Sequence, residues 1–294
     1  MAYFALIFSA LAGALFGQTY KWKSELGLDT ARVLAWFALS AAVLLGIIVT
    51  LIGPVPIVPQ ARWMPFAHGL AMAIAMHTYY RVIEQHRLGI SWTAVQLSVV
   101  IPFAASVAGY EETLDLTAVL GAVSVLVAIV LFGLGRERRA SRERKAEGVG
   151  SVALLVVASV FTGITSALLR SFAFYHPEPQ AVPSFFLFVS LTLLVLNAPL
   201  YIYRCKRYSL PLADPKTTLF SAYKSVTNMS AMGLMLASVQ LLPGFFVFPV
   251  RNTLNILFVL VLSKLIHKER ISSVEATGLL FALAGIGLLS YAMA

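Results

Sequence analysis

The sequence predicts an all-α integral membrane protein with ten transmembrane helices arranged as two inverted five-helix repeats. Three observations carry this reading. Of 294 residues, 59% are hydrophobic and only 12% charged, whereas soluble domains carry roughly 25% charged residues. The apolar residues fall into repeated runs of about 20, the length that crosses a hydrocarbon core. The cations between those runs alternate with a strict parity.

The runs extend approximately over Tyr3–Tyr20, Thr30–Ile52, Trp63–Ile83, Ile90–Tyr110, Leu116–Leu134, Gly150–Phe174, Pro183–Tyr203, Thr217–Leu241, Gly244–Ile266 and Ser272–Met293. Backbone in hydrocarbon must satisfy its own hydrogen bonds, which leaves helices or closed barrels. Barrel strands would alternate in polarity over short segments. Runs such as Ala118–Leu134 are apolar on nearly every face and read as helices. The connections are short, and the reading expects no cleavable signal, transit peptide or soluble domain.

Lys and Arg beside spans stay preferentially in the cytoplasm. The odd-numbered connections and flanking span ends hold Lys21, Lys23, Arg32, Arg81, Arg87, Arg136, Arg138, Arg139, Arg142, Arg144, Lys145, Arg204, Lys206, Arg207, Lys216, Lys264, Lys268 and Arg270; the even-numbered ones hold Arg62 alone. Odd connections therefore face the cytoplasm and both termini face outward. The compact termini point to a multi-pass protein of the cell inner (plasma) membrane. This placement also accounts for the net charge of +9 without nucleic acid. The single cysteine, Cys205, excludes an intrachain disulfide and any cysteine-based metal cluster.

An offset of 157 residues pairs Arg81–Leu134 with Ser238–Tyr291 without a gap, bringing Glu112 onto Glu269, Gly121 onto Gly278, Ser106 onto Ser263 and Leu97 onto Leu254. The first helix of each half needs another offset, which aligns Ser9 and Gly13 with Ser159 and Gly163. Residues 1–135 form the first repeat, 136–149 a basic cytoplasmic linker and 150–294 the second repeat. An odd number of helices per repeat makes the second enter the membrane from the opposite side, the arrangement from which many secondary transporters build a midplane site.

The end of each half resembles the ten-helix, EamA-type branch of the drug/metabolite transporter superfamily. In the second half the pattern is Pro249, Lys268-Glu269-Arg270-Ile271, then Gly278 to Gly285 and Gly287. The first half carries Glu112-Thr113-Leu114 and Gly121, but has Trp92 where the register places Pro249. The resemblance implies a carrier of small metabolites with a cavity formed mainly by helices 1, 3, 4, 6, 8 and 9. It implies no particular substrate.

A charge in the bilayer interior costs roughly 2.5–3.5 kcal/mol on insertion scales, so an intramembrane cation should face water, a partner or a ligand. Lys224 and Arg251 lie about 10 Å from their helix ends at ~1.5 Å per residue, and no carboxylate lies in the core of any span. Such a pair favours an anionic ligand, with a planar fork from Arg and a mobile point charge from Lys. The alternative is that each snorkels to its nearer interface. Arg170, close to a polar connection, reads as snorkelling.

Tyr79 and His77 end helix 3, where Tyr also suits an interfacial belt and His77 is either a packing residue or a cavity donor. Trp92 and Gln96 share one face of helix 4. Asn252 and Asn255 extend a polar stripe from Arg251, and Asn228 follows Lys224 by one helical turn; such residues either join helices or line a cavity. The expected substrate-binding set is thus Lys224, Arg251, Tyr79, His77, Trp92, Gln96, Asn228, Asn252 and Asn255. Gly13, Gly163 and Pro249 are expected at close packing or hinge positions.

The chain has no phosphate loop ending in Lys-Ser/Thr and no HExxH zinc motif, and to hold Mg²⁺ against a diphosphate it offers only Glu111, Glu112 and Asp115 in one outward connection. The reading expects no enzyme, no cofactor and no metal. It expects a secondary transporter of small organic, anionic or zwitterionic metabolites, working by alternating access as a monomer or homodimer, with a small-molecule substrate and the lipid bilayer as its partners and no nucleic acid. The alternatives are a lipid flippase or scramblase, an exporter of apolar drugs, or a membrane-embedded subunit of a larger assembly.

Overall fold

The computed structural model describes residues 1–85, 95–110, 112, 114–140, 149–267 and 272–293. Among these the regular structure is helical, without strands: α1 Ala2–Glu25, α2 Thr30–Ile52, α3 Met64–Gln85, α4 Val100–Gly109, α5 Leu116–Ala140, α6 Val149–Tyr175, α7 Ala181–Tyr208, α8 Pro215–Leu241, α9 Gly244–His267 and α10 Ser273–Tyr291. A 3₁₀ turn, Leu97–Val99, leads into α4, and another, Pro59–Ala61, precedes α3. The basic linker expected over 136–149 is helical as far as Ala140, because α5 continues beyond its apolar run.

Among the described residues seven helices, α1, α2, α5, α6, α7, α9 and α10, are long and apolar enough to cross a membrane. Large apolar side chains such as Ile47, Leu51, Val195, Leu219 and Leu280 are exposed on the outside of the bundle, an apolar exterior that lipid, rather than water, accommodates. The architecture is that of a multi-pass membrane protein. Helices α3 and α8, of 22 and 27 residues, are long enough but more polar. Their polar residues turn inward: His68, Ser221, Lys224, Ser225 and Asn228 are all buried.

Helix starts follow local chemistry. Asp29 caps α2 by accepting from Arg32 N (3.0 Å), and Asp214 caps α8 by accepting from Thr217 N (3.1 Å) with Pro215 at the first helical position. Ser272 and Glu275 form a reciprocal capping box on α10. Helix α9 is capped from a distant part of the chain: Glu112 accepts from Gly244 N (2.9 Å) and Phe245 N (2.8 Å). Its carboxylate thereby meets the positive end of the helix dipole.

Helix α1 packs on α8 and α9, while α6 packs on α3 and α4. Helix α2 packs on α7 and α8, and α3 also on α7; α5 pairs with α10, and α4 with α9. Exchanging the first five helices with the last five leaves this set of pairs unchanged. The details obey the 157-residue offset. A side chain on Gly121 would meet Leu289 at 2.8 Å and the Gly285 carbonyl at 3.1 Å; one on Gly278 would meet Phe132 at 3.2 Å and the Ala128 carbonyl at 3.3 Å. The caps of α5 and α10 correspond too, with Asp115 accepting from Ala118 N (2.7 Å) and Ser272 from Glu275 N (3.2 Å).

Small residues let helices approach closely where lipid supplies no hydrophobic drive for association. Gly285 is such a contact, because an added Cβ would lie 2.9 Å from Gly121 O and 3.0 Å from Val125 N, both backbone atoms. Gly287 faces open space. Gly285→Val is therefore expected to lower thermal stability in detergent by about 1–3 kcal/mol through overpacking, and Gly287→Val to leave it nearly unchanged. Equal shifts for the two would refute the close contact as the reason for the glycine.

Candidate functional site

A cavity of about 90 Å³ lies inside the bundle, lined by α1, α3, the turn before α4, α6, α8 and α9. Arg251 is its cation. The side chain is 8% exposed, and its Nε donates to Ser9 Oγ at 3.4 Å and its Nη1 to Asn252 Oδ1 at 3.3 Å. These are two long bonds for a group with five N–H donors. Among the described residues, no carboxylate lines the cavity.

The groups around Arg251 are held by a chain of hydrogen bonds. Ser9 Oγ donates to Ala231 O (2.6 Å), joining α1 to α8. Asn255 donates to Ala10 O (3.1 Å) and accepts from Gln96 Nε2 (3.1 Å), which fixes the orientation of both amides. Asn252 Nδ2 donates to Gln96 O (3.3 Å). Gly13 makes this arrangement possible, since a Cβ there would fall 2.5 Å from Asn255 Nδ2 and 2.8 Å from Arg251 Nη2. Asn228 faces the same cavity, is 1% exposed, and neither its Oδ1 nor its Nδ2 has a hydrogen-bond partner. A buried amide in this state is aimed at something the fold itself does not provide.

The structure thus brings together Arg251, Tyr79, Gln96, Asn228, Asn252 and Asn255 around one cavity, with Gly13 at its wall. Lys224 and His77 are not in that lining. Lys224 is fully buried in an aromatic cage, its Nζ donating to Thr19 Oγ1 (3.1 Å) and lying 3.8 Å from the Tyr20 ring centroid, 4.1 Å from Phe16, 5.3 Å from Tyr80 and 5.9 Å from Phe37. Phe16 and Tyr20 stand between it and the cavity, contributing to both. The pairing of Lys224 with Arg251 expected from sequence is thereby interrupted by two rings, whose negative faces supply what a carboxylate otherwise would. His77 Nε2 meets Asn197 Oδ1 at 2.8 Å and ties α3 to α7. Trp92 lies outside the described residues. Gly163 packs against the α4 entry, where an added Cβ would fall 2.9 Å from Ser98 O, and Pro249 borders a separate apolar cleft of about 210 Å³ between α4, α5 and α9.

Several lining residues escape a reading based on intramembrane charge. Thr162, Thr165 and Ser166 of α6 share a helical face at one-turn spacing, a signal present in the sequence. His68, with Nδ1 unpartnered and its ring edge-on to Phe185 at 5.4 Å, gives no such signal among its apolar sequence neighbours.

Contacts between the first five helices and the last five lie at both ends of the bundle. At the end where α8 gives way to α9, Arg170 Nη2 donates to Glu112 (2.6 Å) and its guanidinium stacks over Tyr110 (4.9 Å). Arg170 is therefore paired rather than snorkelling. Nearby, the α2–α3 connection is tied down by Val58 N donating to His176 Nε2 (3.2 Å), while the His176 Nδ1 hydrogen bond (2.8 Å) holds the Glu178 carboxyl below the ordinary carboxylate range. At the other end of α8, Arg204 donates to Asp29 (2.7 Å), and Arg32 approaches Asp214 at 3.8 Å. Hydrogen bonds from Thr217 lower the pKa of Asp214 and keep it anionic toward Arg32.

No family model matches the chain, and no curated protein does. A solved protein crystal structure has a similar fold, with a TM-score of 0.68 at 16% identity, covering 99% of this chain and 98% of that one. The likeness extends over the whole bundle and concerns the fold alone.

Gly13→Val is expected to displace Arg251 and Asn255, lowering thermal stability by about 1–3 kcal/mol and abolishing any anion-dependent stabilisation seen in the wild type; retention of that stabilisation would place the anion elsewhere. The buried Cys205, beside Arg204, reports on the Asp29 end without engineering. Asp29→Asn keeps a capping oxygen but removes the ion pair, and should speed maleimide labelling of Cys205 about two- to fivefold. An unchanged labelling rate would show that the pair does not hold this end closed.

Proposed function

We propose that this chain is a secondary transporter of small organic, anionic or zwitterionic metabolites, working by alternating access between two inverted five-helix halves. The observation that carries the reading is Arg251: a cation in an interior cavity, with spare donors, flanked by oriented amides and facing no carboxylate among the described residues. A fold does not bury such a charge for stability, since an unneutralised interior cation is a cost.

Other observations support it. The most extensive helix pairings are unchanged by exchange of the halves, and the glycine contacts and helix caps repeat at one offset; this favours ten spans in inverted repeats. The cavity is lined by the six helices that the resemblance to EamA-type carriers implies. Ion pairs linking the halves lie at both ends of the bundle, so breaking one set while keeping the other would expose the cavity to one side at a time. The distribution of Lys and Arg supports a cytoplasmic Asp29–Arg204 end with both termini outside.

A second reading, translocation of a lipid or apolar drug, is favoured by the apolar cleft bordered by Val99, Phe103, Leu126 and Pro249. Counterflow in proteoliposomes decides between them. Transport requires saturable exchange of a soluble anion that falls at least about tenfold in Arg251→Gln. Movement of fluorescent lipid between leaflets, unaffected by Arg251→Gln, would replace that reading with the second.

A further inference from the structure

We infer that the cavity takes a small monoanion without an amine, a short branched or aromatic monocarboxylate, rather than an amino acid, a dianion or an amine. This rests on the transporter reading and narrows its substrate class.

Charge sets the first limit on the ligand. Arg251 is the cation of the cavity lining among the described residues. The ammonium of Lys224 is engaged by Thr19 and by the Phe16 and Tyr20 rings, on the far side of the wall they form. One guanidinium can pair with one carboxylate through two parallel N–H bonds. A second negative charge on the ligand would enter a buried site with no cation to meet it.

An amine would find little to meet it. Among the described residues the lining offers it no carboxylate, only neutral acceptors such as Asn228 Oδ1, which do not balance its charge. Aromatic faces could substitute, but of the Phe and Tyr rings in the lining Tyr79 packs edge-to-face with Tyr20 at 4.7 Å, and Phe16 and Tyr20 already lie 4.1 and 3.8 Å from the Lys224 nitrogen. A ligand ammonium on the cavity side of those rings would share them with Lys224 and be repelled by it. An amino acid would therefore gain its carboxylate contact at Arg251 and lose on its ammonium.

Elsewhere in the wall, Met72, Met76, Met232, Ala75 and Val95 present apolar, adaptable surface. The unpartnered Asn228 supplies a donor for the second carboxylate oxygen or a neutral substituent. Space limits the ligand: at roughly 10–15 Å³ per water-sized occupant, the 90 Å³ cavity holds about six to nine such volumes. Isocaproate, with about eight non-hydrogen atoms, is of this size.

The test is binding to the full-length protein in nanodiscs by calorimetry, using isocaproate, its 2-amino derivative leucine, isopentylamine, 3-methylglutarate and isopentyl phosphate, with counterflow measured separately. Isocaproate should bind, the other four at least about tenfold more weakly, and Arg251→Gln should weaken isocaproate about 10- to 100-fold. The ranking is measured on the wild type, so it stands even if the variant folds poorly. Leucine or isopentylamine binding as tightly as isocaproate, a dianion binding more tightly, or no binding by isocaproate would each overturn the inference. Isocaproate binding without counterflow would keep the ligand class and remove the transport reading. Counterflow of leucine alone would do the reverse.

Discussion

Helices in lipid gain nothing from hiding apolar side chains from one another, because the acyl chains are equally apolar. The bundle therefore depends on close backbone approach and on polar bonds between helices. Both devices are concentrated at a few positions. Gly121, Gly278 and Gly285 bring α5 and α10 into backbone contact. Ser9, Asn255 and Gln96 tie α1, α8, α9 and the entry to α4 together around the cavity. Gly13 belongs to both groups, since its missing side chain lets α9 approach α1 and leaves the room that Arg251 and Asn255 occupy.

The same constraint separates two kinds of buried cation. Lys224 is satisfied inside the fold, by a hydroxyl and surrounding ring faces, and needs nothing further. Arg251 has two long bonds and remaining donors directed to a cavity. Arg170 represents a third solution, a carboxylate shared with the start of α9. Three intramembrane cations that look alike as letters have three different electrostatic environments, and of the three Arg251 alone borders the cavity.

Much of the architecture was legible in the sequence. Apolar run length and the demand for internally satisfied backbone bonds located most of the helices to within about six residues, but the fourth run, Ile90–Tyr110, is among the described residues a 3₁₀ turn and a ten-residue helix, Val100–Gly109. The Gly121 and Gly278 correspondence was visible as an alignment offset and reappears as matching contacts between α5 and α10. The polar stripe Arg251, Asn252 and Asn255 was visible because polar residues at helical spacing are rare in apolar runs. The lining by Phe16, Met72 and Met76 was not, since such residues are equally suited to packing, lipid or a cavity wall.

Composition and periodicity by themselves determined that this chain is a helical, multi-pass protein and that charge lies inside its spans, because both follow from local run length and the cost of exposing backbone or burying charge. Only the tertiary structure decided which charges meet. Whether Lys224 joined Arg251 or was shut away depended on the directions taken by Phe16 and Tyr20 one helix distant, and no spacing along the chain encodes the rotation of one helix against another. That rotation is set by the summed contacts of α1 with α8 and α9, which exist only once the bundle has assembled.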